Sequence, residues 1–353
     1  MFILDAHLDL SWNALGWNRD LDQTVAEIRL SEAGMEGKAR GKNTVSLPDM
    51  RGGHVGIVLS TLLARANRRG RSSLDFRNQE IACATAQGQL AYYRLLERRG
   101  ACEMLLDWPS LKRSFSRWEH GGEDVPFGFI LSMEGADPIL SPDHAADWYQ
   151  AGLRVVGLAH YGPSAYAHGT GCQGGLTAAG VDLLSVMEEL NLILDLTHLA
   201  DESFWQALKQ FRGTVLASHN NCRAITPGDR QFDDDQIRAI IERDGVIGAP
   251  FDAWMMVPGW TRDGATNPRV TLDSALNHID RICQLAGNAR HVGIGSDLDG
   301  GFGTEQSPED LDTIADLQKL GPLLTSRGYS DADIQGIFHG NWLRLFERAW
   351  STA

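Results

Sequence analysis

Cysteine is scarce in this sequence and is not arranged in pairs. The five cysteines among 353 residues are scattered along the chain, and no two of them form a C-x-x-C motif. Isolated thiols in odd number argue against a disulfide framework and are typical of a cytoplasmic protein. The N-terminus also lacks the pattern of a secretory signal, because Asp5 interrupts its only apolar run.

Positive charge is also in short supply. Lys and Arg number 32 against 46 Asp and Glu, which gives a formal net charge of −14. We therefore expect neither a nucleic-acid partner nor binding to an anionic membrane surface. No apolar stretch reaches the length of a membrane span. The one basic cluster, which contains Arg65, Arg68, Arg69 and Arg71, is expected to be a solvated loop.

Eight short apolar runs, many of them rich in β-branched residues, dominate what the sequence does contain. They cover residues 1–9, 54–61, 127–134, 153–160, 192–198, 214–219, 245–251 and 291–297. Helical periodicity is present at residues 78–99, 142–151, 178–190, 233–243, 272–286, 308–327 and 331–349, and a further helix begins at Asp201.

This alternation predicts parallel βα units that close into an α/β (β/α)8 TIM barrel. The alternative is an open doubly wound sheet, but no glycine-rich phosphate-binding turn follows the first run. Polar segments at 11–51, where only 21–30 has a helical pattern, and at 64–76 predict long βα-loop insertions after the first strands. The last two helical patterns predict extra C-terminal helices. We see no repeat or linker and expect one domain spanning residues 1–353.

Metal-binding and acid–base side chains stand at the ends of six of these runs. They are His7 with Asp9, Glu134, His160, His198, His219 and Asp297. Active sites of this barrel lie at the C-terminal ends of its strands, so these side chains are predicted to converge. A single histidine there is more often structural, but recurrence at six strands favours a metal site.

The ligand types indicate which metal, and their number indicates how many. Imidazoles and carboxylates bind zinc and similar divalent cations. Three clear imidazoles and three carboxylates exceed what one tetrahedral zinc ion needs. The surplus predicts two cations that share a carboxylate and a bridging hydroxide, which is a nucleophile at neutral pH because coordination lowers the pKa of water.

Several motifs at these positions resemble those of the renal (membrane) dipeptidase family. They are Asp5-Ala-His-Leu-Asp-Leu10, Glu134-Gly135, Asp195-Leu-Thr-His198, Ser218-His219, Gly293-Ile-Gly-Ser-Asp-Leu-Asp-Gly300 and the closing Gly340-Asn-Trp-Leu-Arg344. The resemblance covers the whole chain in order. It implies a zinc-dependent dipeptidase on a metal-dependent amidohydrolase-like barrel.

The resemblance also implies a ligand set for two zinc ions. His7 and Asp9 would bind one ion, and His198 and His219 would bind the other. Glu134 would bridge the two ions and is counted with the catalytic residues.

The same resemblance implies three further roles. His160 would bind the substrate by polarising the scissile carbonyl and would stabilise the oxyanion. Asp297 would hold the hydroxide and carry its proton to the leaving amine. Arg230, eleven residues after His219, would clamp the terminal carboxylate of the substrate, with an ordinary loop ion pair as the alternative. Asp5 and Asp299 are expected to support these residues.

The expected substrate is a dipeptide with a free C-terminal carboxylate, and a D-residue is tolerated at the C-terminal position. The loops 11–51, 64–76 and 161–175 cannot be matched to the family pattern, so their roles are not assigned. The preferred side chains, the native metal and the oligomeric state therefore stay open, with a homodimer among the alternatives.

Two other functions fit the same residues. One is another binuclear metal-dependent amidohydrolase acting on a lactam, a cyclic amide or an ester. The other is a non-catalytic small-molecule binding barrel that kept its metal. Arg230 favours a dipeptide over a neutral ester, and His160 and Asp297 count against a barrel that only binds.

Overall fold

Eight parallel strands form a nearly closed barrel, which confirms the predicted fold. The computed structural model describes residues 1–67, 70, 72–121, 125–262, 264 and 266–351. We number the barrel strands β1 to β8: Ile3–Leu8, Val55–Leu63, Phe127–Glu134, Leu153–Gly157, Ile193–Asp195, Val215–Leu216, Ile247–Ala249 and Val292–Ile294. They are hydrogen-bonded in the order β7-β8-β1-β2-β3-β4-β5-β6. A parallel bridge between Ala217 and Ile247 links β6 back to β7.

Helices alternate with these strands. In the described ranges the α-helices are Leu10–Gly16, Val25–Ser31, Leu47–Gly52, Gln79–Arg98, Trp108–His120, Ala145–Gln150, Ala178–Glu189, Asp201–Gln210, Asp234–Glu242, Ala253–Met256, Leu272–Ala286, Leu320–Ser326, Asp331–Gln335 and Asn341–Ser351. Helix starts follow capping chemistry, as where the Asn78 side chain accepts from the Ile81 N–H. Short 3-10 helices are Pro142–His144, Thr304–Gln306 and Ile314–Lys319.

The barrel strands are buried, which explains their nearly continuous apolar runs. Every residue of β2 and β3 is buried, as expected for parallel strands covered on both faces. Alternate strand residues such as Leu4, Ile57 and Ile130 pack in one cluster with Trp342 and Phe346 of the C-terminal helix. An apolar core therefore supports strands whose C-terminal ends carry polar side chains.

The connections differ from the sequence expectations in several places. The segment 64–76, expected to be a loop, contains two paired strands, Arg65–Ala66 and Asp75–Phe76. The segment 11–51 contains two helices, Leu10–Gly16 and Leu47–Gly52, besides the expected one. A strand, Cys102–Met104, pairs with β3 and precedes an unpredicted helix, Trp108–His120. The helix predicted at 308–327 begins later, as a 3-10 helix at Ile314. That predicted at 331–349 is interrupted by a π-helical turn, Gly336–Gly340. Most of these elements are short and show too few periods to be recognised from sequence, whereas the 13-residue helix Trp108–His120 is long enough and was missed.

The structure tests some of the expectations about the whole molecule and leaves others as predictions. All five cysteines are free thiols. No helix within the described ranges is both long and apolar enough to cross a membrane. The single domain, the cytoplasmic location and the homodimer stay predictions.

Candidate active site

His7 and Asp9 do converge, but not through simple strand alternation. The pairing of β1 with β2 shifts register between Asp5 and Leu8, and β1 ends at Leu8. Asp9 is the residue that precedes helix Leu10–Gly16, with φ −88° and ψ 47°. The turn brings Asp9 Oδ2 to 3.8 Å from His7 Nε2.

Glu134 lies at the centre of the site as the last residue of β3. Its Oε1 is 3.1 Å from His198 Nε2 and 3.3 Å from His219 Nε2. Its Oε2 is 3.7 Å from His7 Nε2. The two oxygens of one carboxylate therefore face two different sets of imidazoles.

His198 is held in a backbone conformation that L-residues rarely adopt. It lies three residues beyond β5 with φ +68°, which carries a steric cost of about 1–2 kcal/mol. Thr170 supports it, since its hydroxyl donates to the His198 carbonyl at 3.3 Å and contacts Nδ1 at 3.0 Å. With Nδ1–H donating to that hydroxyl, Nε2 presents a lone pair to the cluster.

His219 and His160 complete the imidazole set. Nδ1 of His219 is 2.8 Å from the Ser218 hydroxyl, which again leaves Nε2 toward Glu134. Nε2 of His160 lies 3.7 Å from Glu134 Oε1. The His160 Nδ1 atom is buried and has no hydrogen-bond partner in the described part of the chain.

Burial and mutual repulsion govern the charges of the cluster. Burial lowers the pKa of His198 and His219 well below the usual value. It raises the pKa of Glu134 to about 7 and raises that of Asp297 well above its ordinary range. For His7, burial alone would lower the pKa, but the Glu134 charge, with the neighbouring carboxylates, raises it to about 10. Burial therefore favours the neutral forms of these groups, except at His7, where the neighbouring carboxylates favour the charged form.

The donor atoms fit divalent cations. Among the described residues, His7 Nε2 and Asp9 Oδ1 are buried without a hydrogen-bond partner. Three sets of three ligand atoms lie within 4.8 Å of one another: His7, Glu134 and His219; Glu134, His160 and His198; His7, Asp9 and Asp297. Spacings of 3–4 Å are those of ligands about 2 Å from a common ion. Glu134 and His7 each belong to two sets, as expected if two ions lie close together.

Arg230 borders the same cavity, which has a volume of about 430 Å³. Arg230 is only 2% exposed. Its guanidinium donates to Asn220 Oδ1 at 2.8 Å and to the His219 carbonyl at 2.9 Å. No described carboxylate lies at ion-pair distance from it, so the described residues give no support to the alternative of an ordinary loop ion pair.

Two aspartates predicted to support the site have clear partners. Asp299 accepts hydrogen bonds from the Thr44 N–H at 2.7 Å and the Val45 N–H at 3.1 Å, which fastens the segment after β1. Asp5 accepts from the His7 N–H.

Other cavity-lining residues were not recognised in the sequence. They are Trp12, Trp17, Lys38, Arg65, Tyr161, Asp252 and Arg262. They lie in loops, in short helices or, for Arg65, in a two-residue strand, so no periodic sequence pattern marks them. Arg65 was expected in a solvated loop, but its side chain is only 13% exposed and pairs with Asp75. Arg68, Arg69 and Arg71 lie outside the described residues.

Sequence relatives point to one family. The family model for membrane dipeptidases, peptidase family M19, matches residues 1–353. An uncharacterised dipeptidase of Schizosaccharomyces pombe is 29% identical over 79% of this chain and 71% of that protein. A protein encoded in the pqqA 5′ region of Klebsiella pneumoniae is 30% identical over 65% of this chain and 84% of that protein.

Solved structures show the same fold. Dipeptidase AC, a metallopeptidase of family M19, is 24% identical and superposes with a TM-score of 0.80, with 99% of each chain covered. A metallopeptidase from Rhodobacter sphaeroides, liganded with a phosphinate mimic of L-Ala-D-Ala, is 23% identical with the same TM-score and coverage. The match over every residue is decisive: the chain belongs to the membrane dipeptidase family, peptidase family M19, and is a metallo-dipeptidase.

Proposed function

We propose that this enzyme is a zinc-dependent dipeptidase that hydrolyses dipeptides with a free C-terminal carboxylate and tolerates a D-residue at the C-terminal position. One observation carries the proposal. One cavity of about 430 Å³ is lined by the buried cluster centred on Glu134 and by the buried guanidinium of Arg230, which has no carboxylate partner among the described residues. A free dipeptide supplies a scissile carbonyl for the cluster and a carboxylate for Arg230.

The proposed ligands divide between two ions. His7 and Asp9 would hold one, His198 and His219 would hold the other, and Glu134 would be shared by both, in keeping with its two oxygens facing different imidazoles. Bound there, the two zinc ions would supply Lewis acidity and a bridging hydroxide at neutral pH.

Asp297 is suited to move the proton of the attacking water. Its Oδ1 lies 3.8 Å from His7 Nε2, inside the cluster. Because burial raises its pKa, the carboxylate can accept a proton and then release it to the leaving amine.

His160 is suited to stabilise the oxyanion that forms on the scissile carbonyl. Burial lowers its pKa, so the imidazole stays neutral. We assign its proton to Nε2, the nitrogen that faces the cluster. A neutral N–H aimed at the developing negative charge contributes most in the transition state.

Arg230 fixes the C-terminal end of the substrate. Its fork matches a planar carboxylate, and burial strengthens the contact because water does not compete. Such a clamp holds the carboxylate and leaves the configuration at the C-terminal Cα to the surrounding loops. The L-Ala-D-Ala mimic bound to the Rhodobacter sphaeroides structure is consistent with D-residue tolerance.

The test is hydrolysis by zinc-loaded protein of L-Ala-L-Ala, L-Ala-D-Ala, D-Ala-L-Ala and L-Ala-L-Ala-amide. We expect the first two to be cleaved and the last two to be poor substrates. If the amide were cleaved as fast as the free acid, a general amidohydrolase would replace the dipeptidase as the better assignment.

A further inference from the structure

The cavity carries more positive charge than the proposed reaction uses. The cationic side chains that line it are Lys38, Arg65, Arg230 and Arg262. The acidic ones are Asp9, Glu134, Asp252 and Asp297. Three of these acids belong to the proposed metal cluster or its proton transfer, so only Asp252 is left to balance the cations.

Two of the four cations have an assigned partner. Arg230 is reserved for the α-carboxylate of the substrate, and Arg65 Nη2 pairs with Asp75 Oδ1 at 2.8 Å. Within the described ranges, no carboxylate lies at ion-pair distance from Lys38 or Arg262. Neither side chain therefore has an ion-pair partner among the described residues, and both line the cavity where a ligand would bind.

Asp252 forms no ion pair with either cation, although the charges of Arg262 and Lys38 both lower its pKa against the rise that burial causes. It is buried, its Oδ1 accepts from Gln306 Nε2 at 2.7 Å, and its Oδ2 accepts from Trp254 Nε1 at 2.6 Å. Both donors are neutral. The Arg262 guanidinium instead lies over the Trp254 ring, 5.5 Å from its centroid, an arrangement that orients the cation without neutralising it.

The two cations reach the cavity from different parts of the barrel. Lys38 belongs to the segment after β1, and Arg262 follows β7. Partial burial lowers the pKa of Lys38 and the nearby charge of Arg262 lowers it further, so the two cations lie close enough to repel. The more weakly acting carboxylates of Asp252, Glu305 and Asp297 oppose this lowering. Two like charges held together at the cavity wall favour an anion between them.

We propose that Lys38 and Arg262 bind a second carboxylate of the substrate, so that the enzyme prefers dipeptides with an aspartate or glutamate side chain. The inference rests on the proposed function and specifies its substrate class. A dipeptide with neutral side chains has one carboxylate, which Arg230 binds. Only an acidic residue supplies a second one.

The test compares kcat/KM of zinc-loaded protein for acids and their amide isosteres. The pairs are L-Ala-L-Asp with L-Ala-L-Asn, and L-Asp-L-Ala with L-Asn-L-Ala. We expect a preference of about tenfold for the acid in at least one pair, since one charge-assisted contact is worth roughly that much. We call kcat/KM for the acid divided by kcat/KM for its amide isostere the acid-to-amide ratio. This ratio should fall several-fold in Arg262→Gln and in Lys38→Met. It should also fall with added salt in the unaltered protein, because salt screens charges near the surface.

Arg269→Gln is the matched control. Arg269 belongs to the same segment as Arg262, but it pairs with Glu309 and its side chain is 77% exposed. This variant should keep the wild-type ratio. An acid-to-amide ratio near one in both pairs, or a ratio unchanged in both cavity variants, would overturn the inference while dipeptide hydrolysis itself persisted. Failure to cleave any dipeptide would overturn the proposed function, and this inference with it.

Discussion

Oδ1 of Asp5 accepts a 2.8 Å hydrogen bond from the backbone N–H of Ser296, 291 positions further along the chain. The same oxygen accepts from the N–H of His7 at 3.2 Å. One buried carboxylate therefore joins β1 to the turn after β8. It fixes the backbone at His7 and immediately before Asp297, two residues of the candidate site.

Asp195 repeats this arrangement on the other side of the barrel. Its Oδ1 accepts from the N–H groups of Thr197 and Ser218, each at 3.0 Å. Those residues immediately precede His198 and His219. Asp5 lies within β1 and reaches the turn after β8, and Asp195 ends β5 and reaches the residues after β6. One such aspartate therefore positions each half of the candidate metal cluster.

Replacing Asp5 should disturb both stability and catalysis. Asp5→Ala leaves the buried Ser296 N–H without its acceptor, so the free energy of unfolding should fall by about 1–3 kcal/mol. Without this hydrogen bond the backbone before Asp297 is no longer fixed, so Asp297 should move out of position and kcat should fall. Asp5→Asn keeps a carbonyl oxygen in place and should recover most of both properties. Urea unfolding and kcat of metal-replete protein measure the two effects, and equal behaviour of the Ala and Asn variants would argue against a positioning role.

Metal content is expected to be about two divalent ions per chain at full activity, from the ligand surplus. Elemental analysis during stepwise zinc loading measures it. Chelation should lower Tm, because the buried carboxylates lose their counter-charge and ligand binding to the folded state stabilises it. Full turnover at a plateau of one ion would rule out the binuclear site.

Asp297→Asn should keep both metals and lose turnover. The amide cannot accept the proton of the attacking water, so kcat should fall by about 10²–10⁴. Metal analysis of the same sample separates loss of the proton carrier from loss of an ion. Near-wild-type turnover in the metal-replete variant would remove Asp297 from the mechanism.

Arg230→Gln should act on the carboxylate end of the substrate alone. We expect kcat/KM for L-Ala-L-Ala to fall by about 10–100-fold, because a charge-assisted bidentate contact is lost. The residual rate on L-Ala-L-Ala-amide should change much less, since the amide has no carboxylate to clamp. Arg238→Gln, on the following helix and half exposed beside Asp235, is the control and should leave both substrates near wild type. A parallel loss on acid and amide would contradict the clamp.

The sequence by itself determined the barrel and the residues at its strand ends. Buried parallel strands must be apolar over their whole length, so β2 and β3 are visible as continuous runs. The C-terminal ends of such strands share one face of the barrel, so the convergence of His7, Glu134 and His219 follows from topology.

Only the tertiary structure decided how the site is shaped. The turn that brings Asp9 to His7, the positive φ of His198 and the anchoring of both aspartates depend on contacts between segments far apart in the chain. The same holds for Lys38 and Arg262, which reach one cavity wall from loops without periodicity. Strand position is fixed by local apolar pattern, whereas loop placement is fixed by long-range hydrogen bonds and packing, and these leave no periodic trace in the sequence.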